Sequence, residues 1–121
     1  MIASKETEVS FNAEKGDFIM TYAYCRVSTK HQRIARQITN ITAIYPTATI
    51  IKEFYTGTKQ DRPNWNKLIS QIKKEDTIVF DSVSRMSRNA DEGFKDYKML
   101  YESGVNLIFL NEPLINTSVF D

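Results

Sequence analysis

The chain has 121 residues, 41% of them hydrophobic and 26% charged, with a formal net charge of +1. That is enough for one domain with its own core and ordinary for a soluble protein, and it excludes a whole-surface basic footprint for nucleic acid. Any grip on DNA or phosphate must therefore come from local clustering or from a basic module outside these residues. No apolar run approaches the ~20 residues of a membrane helix. The opening MIASKETEVSFNAEKGD lacks the apolar core of a secretory signal. A lone Cys25 cannot form an internal disulfide, which points to the reducing cytoplasm, and with a single His31 it cannot build a zinc site.

Residues 1–17 are polar and weakly patterned and read as an N-terminal extension, with a short edge strand at EVSF. Residues 18–121 form the domain, beginning with FIMTYAYCRV, an aromatic and β-branched run that predicts a buried strand. In TKHQRIARQITNITAIY, Ile34, Ile38, Ile41 and Tyr45 recur at spacings of a helix with one buried face. Thr29 and Gln32 fit a capping box at its start, and Pro46 ends it. TATIIKEFYTG is a second strand, closed by Gly57. DRPNWNKLISQIKK is a helix with proline in its first turn and an apolar stripe of Trp65, Leu68, Ile69 and Ile72. DTIVFDSV is a third, central strand. NADEGFKDYKMLYESG is a third helix, with a capping box of Asn89 and Glu92 and a stop at Gly104. Its Phe94, Tyr97 and Tyr101, like Trp65, read as core. VNLIFLNE is the fourth strand.

This alternation predicts an α/β domain of three layers, α/β/α, around a mostly parallel four- to five-stranded sheet. Sites in such folds lie beyond the carboxyl ends of the strands. The loop CRVSTK carries Arg26, Ser28 and Thr29, and YTGTKQDRP carries Lys59, Asp61 and Arg62. SVSRMSRN carries Ser84, Arg85, Ser87 and Arg88. Arginine there offers planar, permanently charged donors suited to a bidentate grip on phosphate. A serine among such donors can act as a nucleophile, because neighbouring cations lower the cost of deprotonation and neutralise charge on a pentacoordinate phosphorus. The bland alternatives are a helix-start role for Ser28 and a solvated face for the arginines. Lys59 and Asp61 read as loop surface, His31 as a first-turn surface residue and Cys25 as a small buried residue. A cysteine-phosphatase loop is ruled out because His31 stands where its arginine belongs.

Taken together, YCRVSTKHQRIARQ, TGTKQDRPNWNKLI and SVSRMSRNADEG resemble the serine recombinases, the resolvase/invertase and large serine integrase group, over roughly residues 19–115. The resemblance implies a resolvase-like catalytic domain of a site-specific DNA recombinase, an enzyme of DNA integration and mobile elements. It cuts and rejoins strands through a transient 5′-phosphoserine link, with no metal and no cofactor. Ser28 would attack the scissile phosphodiester. Arg26, Arg62, Arg85 and Arg88 would hold the phosphate, and Gln37 would support the site. The implied partners are double-stranded DNA and further copies of the chain, as homodimer and synaptic tetramer. No membrane is involved, and the setting is the cytoplasm, associated with the nucleoid.

Two departures stand out. Ser84 occupies the place where many members have aspartate before the first arginine of the third motif. The chain also lacks the long helix and DNA-binding region that follow the catalytic domain in the family. These departures motivate the alternative of a non-catalytic resolvase-like module with an assembly or regulatory role. A small nucleotide-binding protein is a weaker third reading, since the chain has no P-loop and only 4 glycines.

Overall fold

The longest strand, β2 (Asp17–Ser28), organises the molecule. The computed structural model describes residues 9–12, 17–28, 34–55, 62–87 and 89–120. The first strand, β1 (Val9–Asn12), lies antiparallel on the start of β2, with Val9 opposite Met20 and Asn12 opposite Asp17. It overlaps the edge strand expected at EVSF. Three more strands, β3 (Thr49–Tyr55), β4 (Thr77–Phe80) and β5 (Asn106–Phe109), run parallel to β2 in the spatial order β3-β2-β4-β5. The described helices are α1 (Ile34–Thr42), α2 (Pro63–Gln71) and α3 (Ala90–Glu102).

Strand alternation divides the core into two layers. Tyr22, Tyr24, Ile78, Phe80, Leu107 and Phe109 pack on one face with Trp65 and Leu68 of α2 and Leu100 of α3. Ala23, Cys25 and Val79 pack on the other with Ile41 of α1, flanked by Ile34, Ile38 and Tyr45. The three-layer α/β/α architecture expected from the sequence is thus the one observed. Tyr24 meets Trp65 edge-on at 4.9 Å between ring centroids, and Phe80 stacks on Phe109 at 4.9 Å. Among the described residues, no helix is long and apolar enough to cross a membrane.

Local chemistry sets the element ends. The Asn89 side chain accepts from the Glu92 N–H at 2.8 Å and starts α3. Gly104 follows that helix with φ +83, and a Cβ there would sit 2.7 Å from Lys74 Cγ. α1 ends at Thr42, earlier than Pro46, and the N–H groups of Ala43 and Tyr45 still donate to the Thr39 and Ile41 carbonyls in the turn that follows. The capping box of Thr29 and Gln32 lies outside the described residues. β4 is shorter than the sequence suggested. After Phe80 the chain leaves the sheet at Asp81 and Ser82 and enters a 3-10 turn, Val83–Arg85. α3 also differs from expectation. Leu100 is deeply buried, but Phe94 is 67% exposed and Tyr101 37% exposed. The stripe that faces the sheet runs through Tyr97 and Leu100, and the other two aromatics fall on its flanks.

Candidate functional site at the switch point of the sheet

The chain crosses from β2 to β3 on one side and reaches β4 on the other, so the connections diverge at the carboxyl ends of β2 and β4. The β2–β4 ladder ends at the pair Ala23–Val79. Arg26 lies beyond it and needs another partner for its main chain. Gln37 of α1, itself 2% exposed, supplies one: its Oε1 accepts from the Arg26 N–H at 3.1 Å and its Nε2 donates to the Arg26 carbonyl at 3.2 Å. A side-chain amide carries one acceptor and one donor group, which suits it to replace a missing strand.

The Arg26 side chain is 4% exposed and reaches across to the turn after β4. Its Nη2 donates to the Ser84 carbonyl at 2.9 Å and its Nε to the Arg85 carbonyl at 3.1 Å. Arg62 Nη1 donates to the next carbonyl, that of Met86. Two arginines, one near the end of β2 and one at the start of α2, therefore hold three consecutive carbonyls of the turn after β4. In return, Arg85 Nη1 donates to the Arg26 carbonyl at 3.4 Å. Arg85 Nε is buried and has no hydrogen-bond partner among the described residues. A buried charged donor without a partner is costly, and an incoming anion would satisfy it.

Arg62 stands at the N-cap of α2, and its guanidinium carbon lies 4.7 Å over the centroid of Trp65. Its Nη2 pairs with Asp96 Oδ2 of α3 at 3.2 Å. Burial raises the pKa of Asp96, and Arg62 opposes that shift. Beneath this pair lies Glu53, 1% exposed. Its Oε1 accepts from the Tyr24 hydroxyl at 2.9 Å and the Trp65 N–H at 2.7 Å, and its Oε2 from the Asn64 N–H at 3.2 Å. Arg62 makes no side-chain cap of its own, so Glu53 caps the start of α2 from the neighbouring strand. Burial, and next the Glu53 carboxylate, push the Tyr24 hydroxyl well above its usual range and keep it a donor.

Met86 of the third loop is buried in the core, whereas its serines bond locally. The exposed Ser84 hydroxyl lies 3.0 Å from that of Ser82, and Ser87 Oγ donates to the Asn89 carbonyl at 3.0 Å. Asp81, 8% exposed, accepts from Asn40 Nδ2 at 3.2 Å. The Cys25 thiol is fully buried, and its pKa is pushed up to about 12, first by burial and then by Asp81. It stays protonated and unreactive at neutral pH.

The structure thus brings Arg26, Arg62, Arg85 and Gln37 together at one edge. Ser28 closes β2, paired in register with Tyr55, and its side chain lies outside the described set. Arg88, Lys59, Asp61, Thr29 and His31 also lie outside the described residues. Sequence reasoning passed over Glu53 and Asp96. Glu53 had a signal: a carboxylate two residues from Ile51, on the same face of a strand rich in apolar residues. Asp96, on a helix rich in charged residues, had none.

A family profile described as "Resolvase, N terminal domain" matches residues 21–119. The transposon Tn917 resolvase of Enterococcus faecalis is 30% identical over 93 residues, covering 77% of this chain and 50% of that protein. The serine recombinase PinR of Escherichia coli K12 is 30% identical over 92 residues, covering 71% and 46%. The chain spans about half the length of the curated relatives it matches. A crystal structure of a resolvase family site-specific recombinase from Streptococcus pneumoniae superposes with a TM-score of 0.60 at 23% identity, covering 83% of this chain and 76% of that one, a likeness of fold. With the profile spanning most of the chain, the protein belongs to the resolvase family and carries that family's N-terminal domain.

Proposed function

We propose that this domain cuts and rejoins double-stranded DNA through Ser28. The Ser28 hydroxyl oxygen bonds to the scissile phosphorus, the bond to the 3′-oxygen breaks, and that oxygen leaves as a hydroxyl. The 5′-phosphate is left esterified to Ser28. Attack of a new 3′-hydroxyl reverses the step, and because the ester keeps the energy of the phosphodiester, religation needs no nucleotide. Arg26, Arg62, Arg85 and Arg88 stabilise the charge on the phosphoryl oxygens, and Gln37 fixes the strand from which Arg26 projects. The observation that supports this reading most is Arg85. Its buried Nε lacks a partner among the described residues and lies beside Arg26, two residues before Ser28 in the same strand. Assembly as homodimer and synaptic tetramer, and a place on the nucleoid, belong to the same proposal.

The test mixes the natural protein with DNA carrying the ends of its own element, denatures the mixture and maps any covalent attachment by mass spectrometry. The expected result is protein on a 5′ end through Ser28, lost in Ser28→Ala with folding nearly unchanged. A second reading, a non-catalytic module, draws on Ser84, whose exposed hydroxyl stands in place of the family's carboxylate. DNA bound without any adduct would favour it, and Ser84→Asp would be the first variant to try for restored cleavage.

A further inference from the structure

We infer that Asp96 is a positioning residue for this site: by pairing with Arg62 it holds that guanidinium on the Met86 carbonyl and so steadies the turn that carries Arg85. The inference rests on the proposed recombination reading for its catalytic consequence, but not for its geometry.

Arg62 is a junction of three elements. Its backbone belongs to the start of α2, its Nη1 reaches the Met86 carbonyl after β4, and its Nη2 reaches Asp96 on α3. Its side chain is 14% exposed and that of Asp96 is 26% exposed, so the pair is shielded on the Trp65 side and open on the other. A guanidinium is a rigid fork, so fixing one arm at Asp96 fixes the direction of the other. Without the carboxylate, Arg62 keeps its ring contact and loses the contact that sets its rotation about that ring. The Met86 carbonyl is the third of the three carbonyls that the two arginines hold, so the turn loses one of its clamps. Arg85 lies one residue before it.

The structure supplies a reporter. Trp65 is the only tryptophan of the chain, and the cation lies 4.7 Å from its ring centroid. Emission of Trp65 therefore reads the position of Arg62. Asp96→Asn keeps the shape and removes the charge, Asp96→Glu restores the charge, and Arg62→Ala marks the emission of an uncovered ring. Circular dichroism checks that each variant is folded. The expected result is an Asp96→Asn emission displaced toward that of Arg62→Ala, with Asp96→Glu returning to wild type. On saturating DNA, adduct formation by Asp96→Asn should slow roughly tenfold, as small misplacements of catalytic groups do. The DNA concentration giving half the rate should change less than about twofold. A role in stability alone would lower the melting temperature and leave the saturated rate untouched. Emission of Asp96→Asn identical to wild type overturns the inference, as does an unchanged or faster saturated rate. The emission arm uses no DNA, so a wild type that forms no adduct would remove the recombination reading while emission still judges the hold of Asp96 on Arg62.

Discussion

Gln37 closes both backbone polar groups of Arg26, accepting from its N–H at 3.1 Å and donating to its carbonyl at 3.2 Å. The amide lies on α1 and the arginine on β2, so one residue ties a helix to the strand end from which the site is built. This bridge exists because β4 departs from β2 after Ala23, leaving a buried strand edge that no other described strand covers on that side.

Gln37→Leu should leave the Arg26 N–H and carbonyl without their amide partner while keeping most of the volume. The expected loss is about 2–3 kcal/mol in urea unfolding, the range for orphaned buried groups. A loss under about 0.5 kcal/mol, ordinary for an inconsequential surface change, would mean that water replaces the amide.

Arg26→Lys keeps the charge but cannot span the adjacent carbonyls of Ser84 and Arg85, which the fork reaches with Nη2 and Nε. Amide hydrogen exchange across residues 83–87 should accelerate, and DNA cleavage should fall at least ~10-fold, about 1.4 kcal/mol in the barrier. Exchange unchanged in that turn would show that the arginine does not hold it.

Glu53→Ala should be among the most destabilising single changes in the chain. It orphans the Tyr24 hydroxyl and two N–H groups at the start of α2, and it opens a cavity beside Trp65. A cost of roughly 3–5 kcal/mol is expected, as for breaking a buried charged network. Glu53→Gln should cost less, since one oxygen remains to accept from Trp65. Equal costs for the two would place the effect in the carboxylate and not in packing.

Stability should fall at alkaline pH partly through Cys25. Its pKa is raised from 9.0 in the unfolded chain to about 12 in the fold. The unfolded state therefore loses its proton first, and stability present below pH 9 is lost as pH rises toward 12. At a pH midway between these values the loss is ~2 kcal/mol relative to neutral pH. Cys25→Ala should remove that part of the decline. Parallel unfolding curves for wild type and variant, one pair near neutral pH and one pair midway between the two pKa values, check it. An identical decline in both proteins would assign it to Tyr22, Tyr24 and Tyr97, whose pKa values burial also raises.

The legible part of this protein is the part written in periodicity. Ile34, Ile38 and Ile41 announced a one-faced helix, and Trp65, Leu68 and Ile72 another, and both pack where such stripes must pack. Phe94 misled because a helix with several large apolar residues buries the stripe its neighbours leave room for, and here that stripe passes through Tyr97 and Leu100. β4 misled because Val83 continues an apolar run while Asp81 and Ser82 turn the chain out of the sheet.

Side-chain patterns along the chain were enough for the order of strands and helices, the α/β class and the three segments that carry the serine and the arginines. Those follow from side-chain patterns repeated over a few residues, and local patterns survive in one dimension. What the arginines hold became visible only in the fold. Arg26 donates to carbonyls 58 and 59 residues away and Arg62 to one 24 residues away. A backbone carbonyl is the same in every residue and leaves no mark in the sequence. Which carbonyl a guanidinium meets, and which carboxylate steadies it, is settled when the sheet brings the loops together.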